Sequence, residues 1–240
     1  MLILSGGEVT MYAVELKNVL KRFADGTGLN VLFDEMNLQV HEGELIVVSG
    51  GDRTGKTTLL KMIAAMTPPN KGTVEVFGKD LLTIKHRTEW RLEHIGFITD
   101  EGCLIPFLTT KQNLLLGTPS DHSNYKRTEE EAERILSELG FSKEKMNETL
   151  EGLDSKEQVL ATIARILMTK PKLILADEPT KQLTGIDGQE VLSMLLRFAK
   201  KNGSTVIIVS NDDSIKEFAD KIYMLENCKL TCSGENRAIQ

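Results

Sequence analysis

The sequence predicts an α/β protein, and three observations carry that prediction. Short apolar runs alternate with helix-periodic stretches along most of the 240 residues, which is the pattern of a layered α/β core. A strand-type run, Glu44–Ser49, passes directly into a glycine-bearing loop and then into a helix. Residues from about 101 to 170 break the alternation and read as a helical insert.

The opening part is strand-rich: Tyr12–Leu16, Asn37–His41 and Glu44–Ser49 all read as extended. The last of these, ELIVVS, is apolar on both faces at its centre, as a strand covered on both sides must be. After the loop, Leu59, Leu60, Ile63 and Ala64 share one helical face, and Pro68 and Pro69 end that helix. Thr73–Phe77 and His94–Ile98 return as strands. In the insert, Thr128 precedes Glu131 at the capping-box spacing. Ala132, Ile135, Leu136 and Leu139 then form one stripe, which Gly140 closes. A second helix is expected from about Ser155 to Met168. The core resumes with a strand at Leu173–Ala176, a helix over Asp187–Lys200 stopped by Gly203, and a strand at Thr205–Val209. The expectation is one domain over residues 1–240, with an α/β core at about 12–100 and 171–232 and a helical subdomain at about 101–170.

Composition narrows the function classes. Hydrophobic residues make up 40% and charged residues 27%, ordinary for a soluble globular chain. The formal net charge of −6 argues against nucleic acid as a partner, since phosphate contacts need surplus Lys and Arg. No apolar run approaches the ~20 residues needed to cross a bilayer. Met1–Leu4 lacks the basic flank and the length of a signal peptide, and Met11 is an alternative start just ahead of the first convincing strand. Cys103, Cys228 and Cys232 make neither a disulfide framework nor a zinc set, which reads as reduced cytosolic thiols. His41, His86, His94 and His122 show no metal-ligand spacing.

Chemistry concentrates at two places. Gly50–Thr57, GGDRTGKT, matches the phosphate-loop pattern G-x-x-x-x-G-K-[ST] between a strand and a helix. The loop Gly50, Gly51, Asp52, Arg53, Thr54 and Gly55 brings backbone N–H groups to the phosphates. Lys56 reaches the β and γ oxygens, and the Thr57 hydroxyl ligates magnesium. Thr58 follows at the helix start, whose positive end faces the anion. The second place is LILADEP at Leu173–Pro179. Its apolar strand delivers Asp177 and Glu178 at the C-terminal edge, where open α/β sheets bind ligands. Asp177 suits the magnesium shell, and Glu178 suits the general base that activates water. This is the plan of a P-loop NTPase (RecA-like) core, with an N-terminal antiparallel β part and an inserted α-helical subdomain. No N/T-K-x-D guanine reader follows the loop, so ATP rather than GTP is the expected nucleotide.

With these motifs, and with the strings HIGFI, LIPFLTTKQNL, ATIARIL and PKLILADEPT, the chain resembles an ABC-transporter ATP-binding subunit over about residues 12 to 232. The likeness is to the short subunits of lipoprotein-release, macrolide-export and cell-division exporters. The resemblance implies Mg-ATP binding, a head-to-tail dimer (homodimer or heterodimer), and a membrane permease docked on the helical insert. It implies a cytoplasmic protein, peripheral on the inner face of the membrane. Phe23 matches the aromatic position that stacks on adenine, against the alternative of an ordinary core phenylalanine.

Several positions depart from the family pattern. Leu153–Glu157, LDSKE, stands in place of the LSGGQ signature, Asp100 in place of a glutamine, Thr184 in place of an aspartate, Asn211 in place of a histidine, and Arg53 in place of a glycine. LDSKE also reads as a capping box, Asp154 with Glu157, opening the next helix. Two unit charges ~4 Å apart at an effective dielectric of 20 interact by about 4 kcal/mol. A carboxylate at Asp154 facing a partner's γ-phosphate therefore weakens closure unless Lys156 compensates. The expectation is ATP binding with slow hydrolysis that drives or regulates a permease. The alternative is a non-hydrolysing, ATP-responsive clamp, and a soluble ATPase acting on DNA or ribosomes is a more distant one.

Overall fold

The computed structural model describes residues 12–25, 28–99, 102–183 and 185–235. Strands β1 (Tyr12–Asp25) and β2 (Gly28–His41) pair as an antiparallel hairpin. Strand β3 (Leu45–Ser49) runs into the phosphate loop and α1 (Lys56–Ile63). Then come β4 (Lys71–Val76), β5 (Lys79–Asp80), α2 (Arg87–His94) and β6 (Ile95–Ile98). Helices α3 (Thr110–Leu114), α4 (Tyr125–Glu138), α5 (Lys143–Met146) and α6 (Ser155–Leu167) follow. The chain returns through β7 (Leu173–Asp177), α7 (Ile186–Asn202), β8 (Thr205–Val209), α8 (Asp213–Lys216) and the hairpin of β9 (Lys221–Glu226) and β10 (Lys229–Glu235).

Two sheets result. The first has the order β2-β1-β4-β5 and is antiparallel; the second has the order β10-β9-β3-β8-β7-β6 and is parallel except for its β10 edge. The parallel strands are apolar on both faces because both faces are covered. Ile46, Val48, Leu173, Leu175, Ile207 and Val209 pack with α1 and the antiparallel sheet. Their neighbours in sequence, Val47, Ile174, Ala176, Val206 and Ile208, face α4, α6 and α7 on the other side. Alternation of side chains along a strand produces this split. Burying each Val, Leu or Ile side chain contributes roughly 1.5–3 kcal/mol.

The α/β class with an antiparallel sheet and a helical part is the fold the sequence predicted. Local details differ. β1 and β2 are each 14 residues long, well beyond the short runs expected, because bulges let polar stretches stay in register. His94 ends a helix rather than opening a strand: its ring stacks on Trp90 at 4.8 Å, and Nδ1 lies 2.8 Å from the Trp90 carbonyl. Helix α4 starts before the expected cap at Thr128, with Asn124 as its N-cap, and the Thr128 hydroxyl instead donates to the Asn124 carbonyl at 3.1 Å. The hairpin of β9 and β10 was not anticipated.

In the helical part, sequence strings have visible causes. Asn113 is buried; its Oδ1 accepts the Ile105 N–H at 2.7 Å, and its Nδ2 donates to the Ile105, Leu108 and Thr109 carbonyls. One amide thereby fixes the loop ahead of α3, which a Thr109–Gln112 capping box opens. The Asp154–Glu157 capping box forms as the spacing predicted, and Lys145 Nζ holds Glu157 at 2.9 Å.

Candidate functional site

The ends of β3, β7 and β8 lie side by side in the parallel sheet, so the segments that follow them converge at one edge. From β3 comes the phosphate loop. Gly50 is buried, and a Cβ there would sit 2.4 Å from the Leu225 carbonyl oxygen, so only glycine fits. Gly55 has φ +104 and lies against the Phe33 ring, where a Cβ would approach to 2.9 Å. As the N-cap of α1, Gly55 offers no side-chain cap, which leaves the first N–H groups of that helix available to an anion. Lys56 Nζ folds over the loop and donates to the Gly50 and Gly51 carbonyls at 2.6 and 2.9 Å. The Thr54 hydroxyl donates to the Gly51 carbonyl at 3.0 Å. Gly51, Asp52, Arg53 and Thr57 are exposed, while Thr58 is half-buried. Arg53 adopts φ +60, a left-handed conformation that disfavours side-chain-bearing residues.

From β7 comes the acidic pair. Asp177 continues the parity of Leu173 and Leu175, so its carboxylate leaves the sheet on the face that carries α1. Glu178 is left-handed at φ +47, and its N–H donates to the Val209 carbonyl at 2.9 Å. From β8 come two residues that tie these halves together. The Ser210 hydroxyl donates to Glu178 Oε2 at 3.1 Å, and Asn211 Oδ1 accepts the Gly50 N–H at 3.2 Å. A cleft of about 90 Å³, lined by Ile98, Thr99, Gln158 and Thr162 among others, separates Glu178 from α6.

Thr57 and Asp177 present hard oxygen donors with no hydrogen-bond partner among the described residues. That donor set fits magnesium, which is held by one or two protein oxygens plus substrate phosphates. Lys56 places an ammonium over the phosphate loop, and Glu178 places a carboxylate at the same edge. Phe23 is not a core residue: it is 44% exposed, with Lys21 Nζ 4.8 Å over its ring. Asp100 and Thr184 lie outside the described residues. Sequence reasoning missed Ser210 and Phe33. A hydroxyl directly after a wholly apolar strand was the available signal for Ser210; nothing local marked Phe33.

The fold and the edge geometry define a phosphate-loop α/β nucleotide-binding protein. The family model for the ABC transporter matches residues 33–181, and the chain belongs to that family as an ATP-binding subunit, an ATPase that takes ATP with magnesium. It is 34% identical to the lipoprotein-releasing system ATP-binding protein LolD of Rickettsia bellii, over 91% of this chain and 97% of that protein. It is 30% identical to the putative hemin import ATP-binding protein HrtA of Staphylococcus haemolyticus, over 91% and 99% of the two chains. The ATP-binding cassette MJ0796, solved as a dimer in a post-hydrolysis state bound to ADP and Pi, superposes with TM-score 0.80 at 28% identity, covering 93% of this chain and 97% of that one. No helix among the described residues is long and apolar enough to cross a membrane.

Proposed function

We propose that this subunit binds Mg-ATP at Gly50–Thr57, hydrolyses it slowly through Glu178, and so drives or regulates a membrane permease from the cytoplasmic face. The observation that carries the reading is the convergence of Lys56, Asp177 and Glu178 on one sheet edge, from segments far apart in sequence. Lys56 would bind the β and γ oxygens. Magnesium held by Thr57 and Asp177 would neutralise phosphate charge, and Glu178 would accept the proton of the attacking water. Gly50, Gly51, Asp52, Arg53, Thr54, Gly55 and Thr58 would line the phosphates, and the exposed ring of Phe23 would stack on the base. The chain is one domain in this reading, with the helical part at about 101–170 receiving the permease. Likeness to lipoprotein-release and macrolide-export subunits supports an exporter of that type.

Slow turnover follows from the altered positions. Asp154 places a carboxylate where the family has serine, and Asn211 stands where the family has histidine, its Oδ1 accepting the Gly50 N–H. Phosphate release from Mg-ATP by wild type and Glu178→Gln, compared at equal saturating occupancy, tests the reading. Release that vanishes in the variant supports it; turnover of many per second sinks the slow-hydrolysis part. A non-hydrolysing clamp is the second reading, favoured by the engagement of Lys156 within its own chain. No release from either protein with ATP bound, and with the permease present, selects it.

A further inference from the structure

We propose that Ser210 and Asn211 are the positioning residues of this site, Ser210 acting through Glu178 and Asn211 through the phosphate loop. The inference rests on the reading of Glu178 as the base. Ser210 is 2% exposed, and its hydroxyl has one proton and two lone pairs. The Asp212 N–H donates into the oxygen at 3.1 Å, so the proton is directed away from that contact and onto Glu178 Oε2, also at 3.1 Å. The Ser210 backbone is itself fixed, its N–H donating to the Val48 carbonyl at 3.2 Å. A hydroxyl anchored in this way holds one carboxylate oxygen and leaves Oε1 to take a proton from water. Without it, a carboxylate on a flexible stem samples several rotamers, only some of them productive.

Asn211 does the corresponding work on the other half. Gly50 is pinned from two sides: its N–H is held by Asn211 Oδ1, and its carbonyl accepts from Lys56 Nζ. Two consecutive side chains at the end of one buried strand thus hold the base and the phosphate loop in register. Neither contact touches the reacting atoms, so each residue acts through another.

The two contacts have separable signatures. Ser210→Ala is expected to lower kcat about tenfold while KM and the affinity for a fluorescent ADP analogue stay within about twofold. Ser210→Thr, which keeps the hydroxyl, restores the rate. In a Glu178→Gln background, Ser210→Ala has no further effect. In nucleotide-free protein labelled with carboxyl-13C glutamate, the Glu178 resonance moves in Ser210→Ala and returns in Ser210→Thr. Asn211→Ser is expected to weaken ADP-analogue binding about fivefold and to leave the Glu178 resonance in place. A Glu178 resonance unmoved by Ser210→Ala overturns the proposal, as does a loss of kcat that Thr fails to rescue. Absence of phosphate release from wild type with nucleotide bound instead fails the hydrolysis reading; the resonance then decides the Ser210–Glu178 contact by itself.

Discussion

Lys156 of α6 donates to Asp187 of α7 at 3.0 Å, and it pairs with Glu190 one turn further along the same helix. Both carboxylates hold the ammonium within its own chain, and their hydrogen bonds, that of Glu190 first and then that of Asp187, raise its pKa. The one cation in LDSKE that could neutralise Asp154 towards a partner's phosphate is therefore engaged elsewhere. Asp154 meanwhile accepts the Glu157 N–H at 2.8 Å as the α6 N-cap.

Removing that charge without removing the cap separates the two roles of Asp154. Serine caps helices about as well as aspartate, so Asp154→Ser is expected to leave stability within about 0.5 kcal/mol. In a Glu178→Gln background, where ATP is retained, it should tighten ATP-dependent self-association about tenfold, read by sedimentation equilibrium. Unchanged association would mean that Asp154 does not face the nucleotide in the dimer.

Among the described residues, Lys56 Nζ has only backbone carbonyls as partners. In the proposed site it would exchange them for phosphate oxygens at no cost in buried charge pairs. A charge-assisted bond is worth about 1.5–3 kcal/mol, so Lys56→Ala should weaken ATP binding roughly 10–100-fold in a fluorescence titration. The fold should be intact by circular dichroism.

Arg53 carries a side chain at φ +60 in the phosphate loop. The left-handed conformation costs a residue with a Cβ about 1–2 kcal/mol, partly offset by the extra chain entropy glycine loses on folding. Arg53→Gly is expected to raise unfolding stability by about 0.5 kcal/mol in urea titration. A loss of stability would reveal a native contact of the guanidinium.

Glu131 is held at about 2 by Arg134 first and by Lys170 after it. A carboxyl depressed in the folded state contributes stability above its unfolded pKa, and that contribution is lost as pH falls towards the folded value. The window is therefore from about 4.5 down to about 2. Arg134 is 44% exposed, so solvent screening keeps the effect near 0.5 kcal/mol. Glu131→Gln should be less stable than wild type at neutral pH by about that amount, and the gap should narrow below about pH 4.5 in urea titrations.

The sequence by itself determined the α/β class, the phosphate loop, the acidic pair and the Asp154–Glu157 cap. Each is encoded locally: strand burial in consecutive residues such as Ile46, Val47 and Val48, the loop in one octapeptide, the cap in a three-residue spacing. Propensity misjudged the start of α4, where Asn124 rather than Thr128 is the cap, because a threonine inside a helix can bond back to the preceding turn. Only the tertiary structure decided what joins these pieces. Asn211 meets Gly50 across 161 positions of sequence, Ser210 meets Glu178 across 32, and Lys156 meets Asp187 across 31. Such pairs leave no periodic trace, because the first two arise from the order in which β3, β8 and β7 assemble in the sheet and the third from the packing of α6 against α7. Strand order depends on how whole faces pack, and that is a property of the folded chain rather than of any window along it.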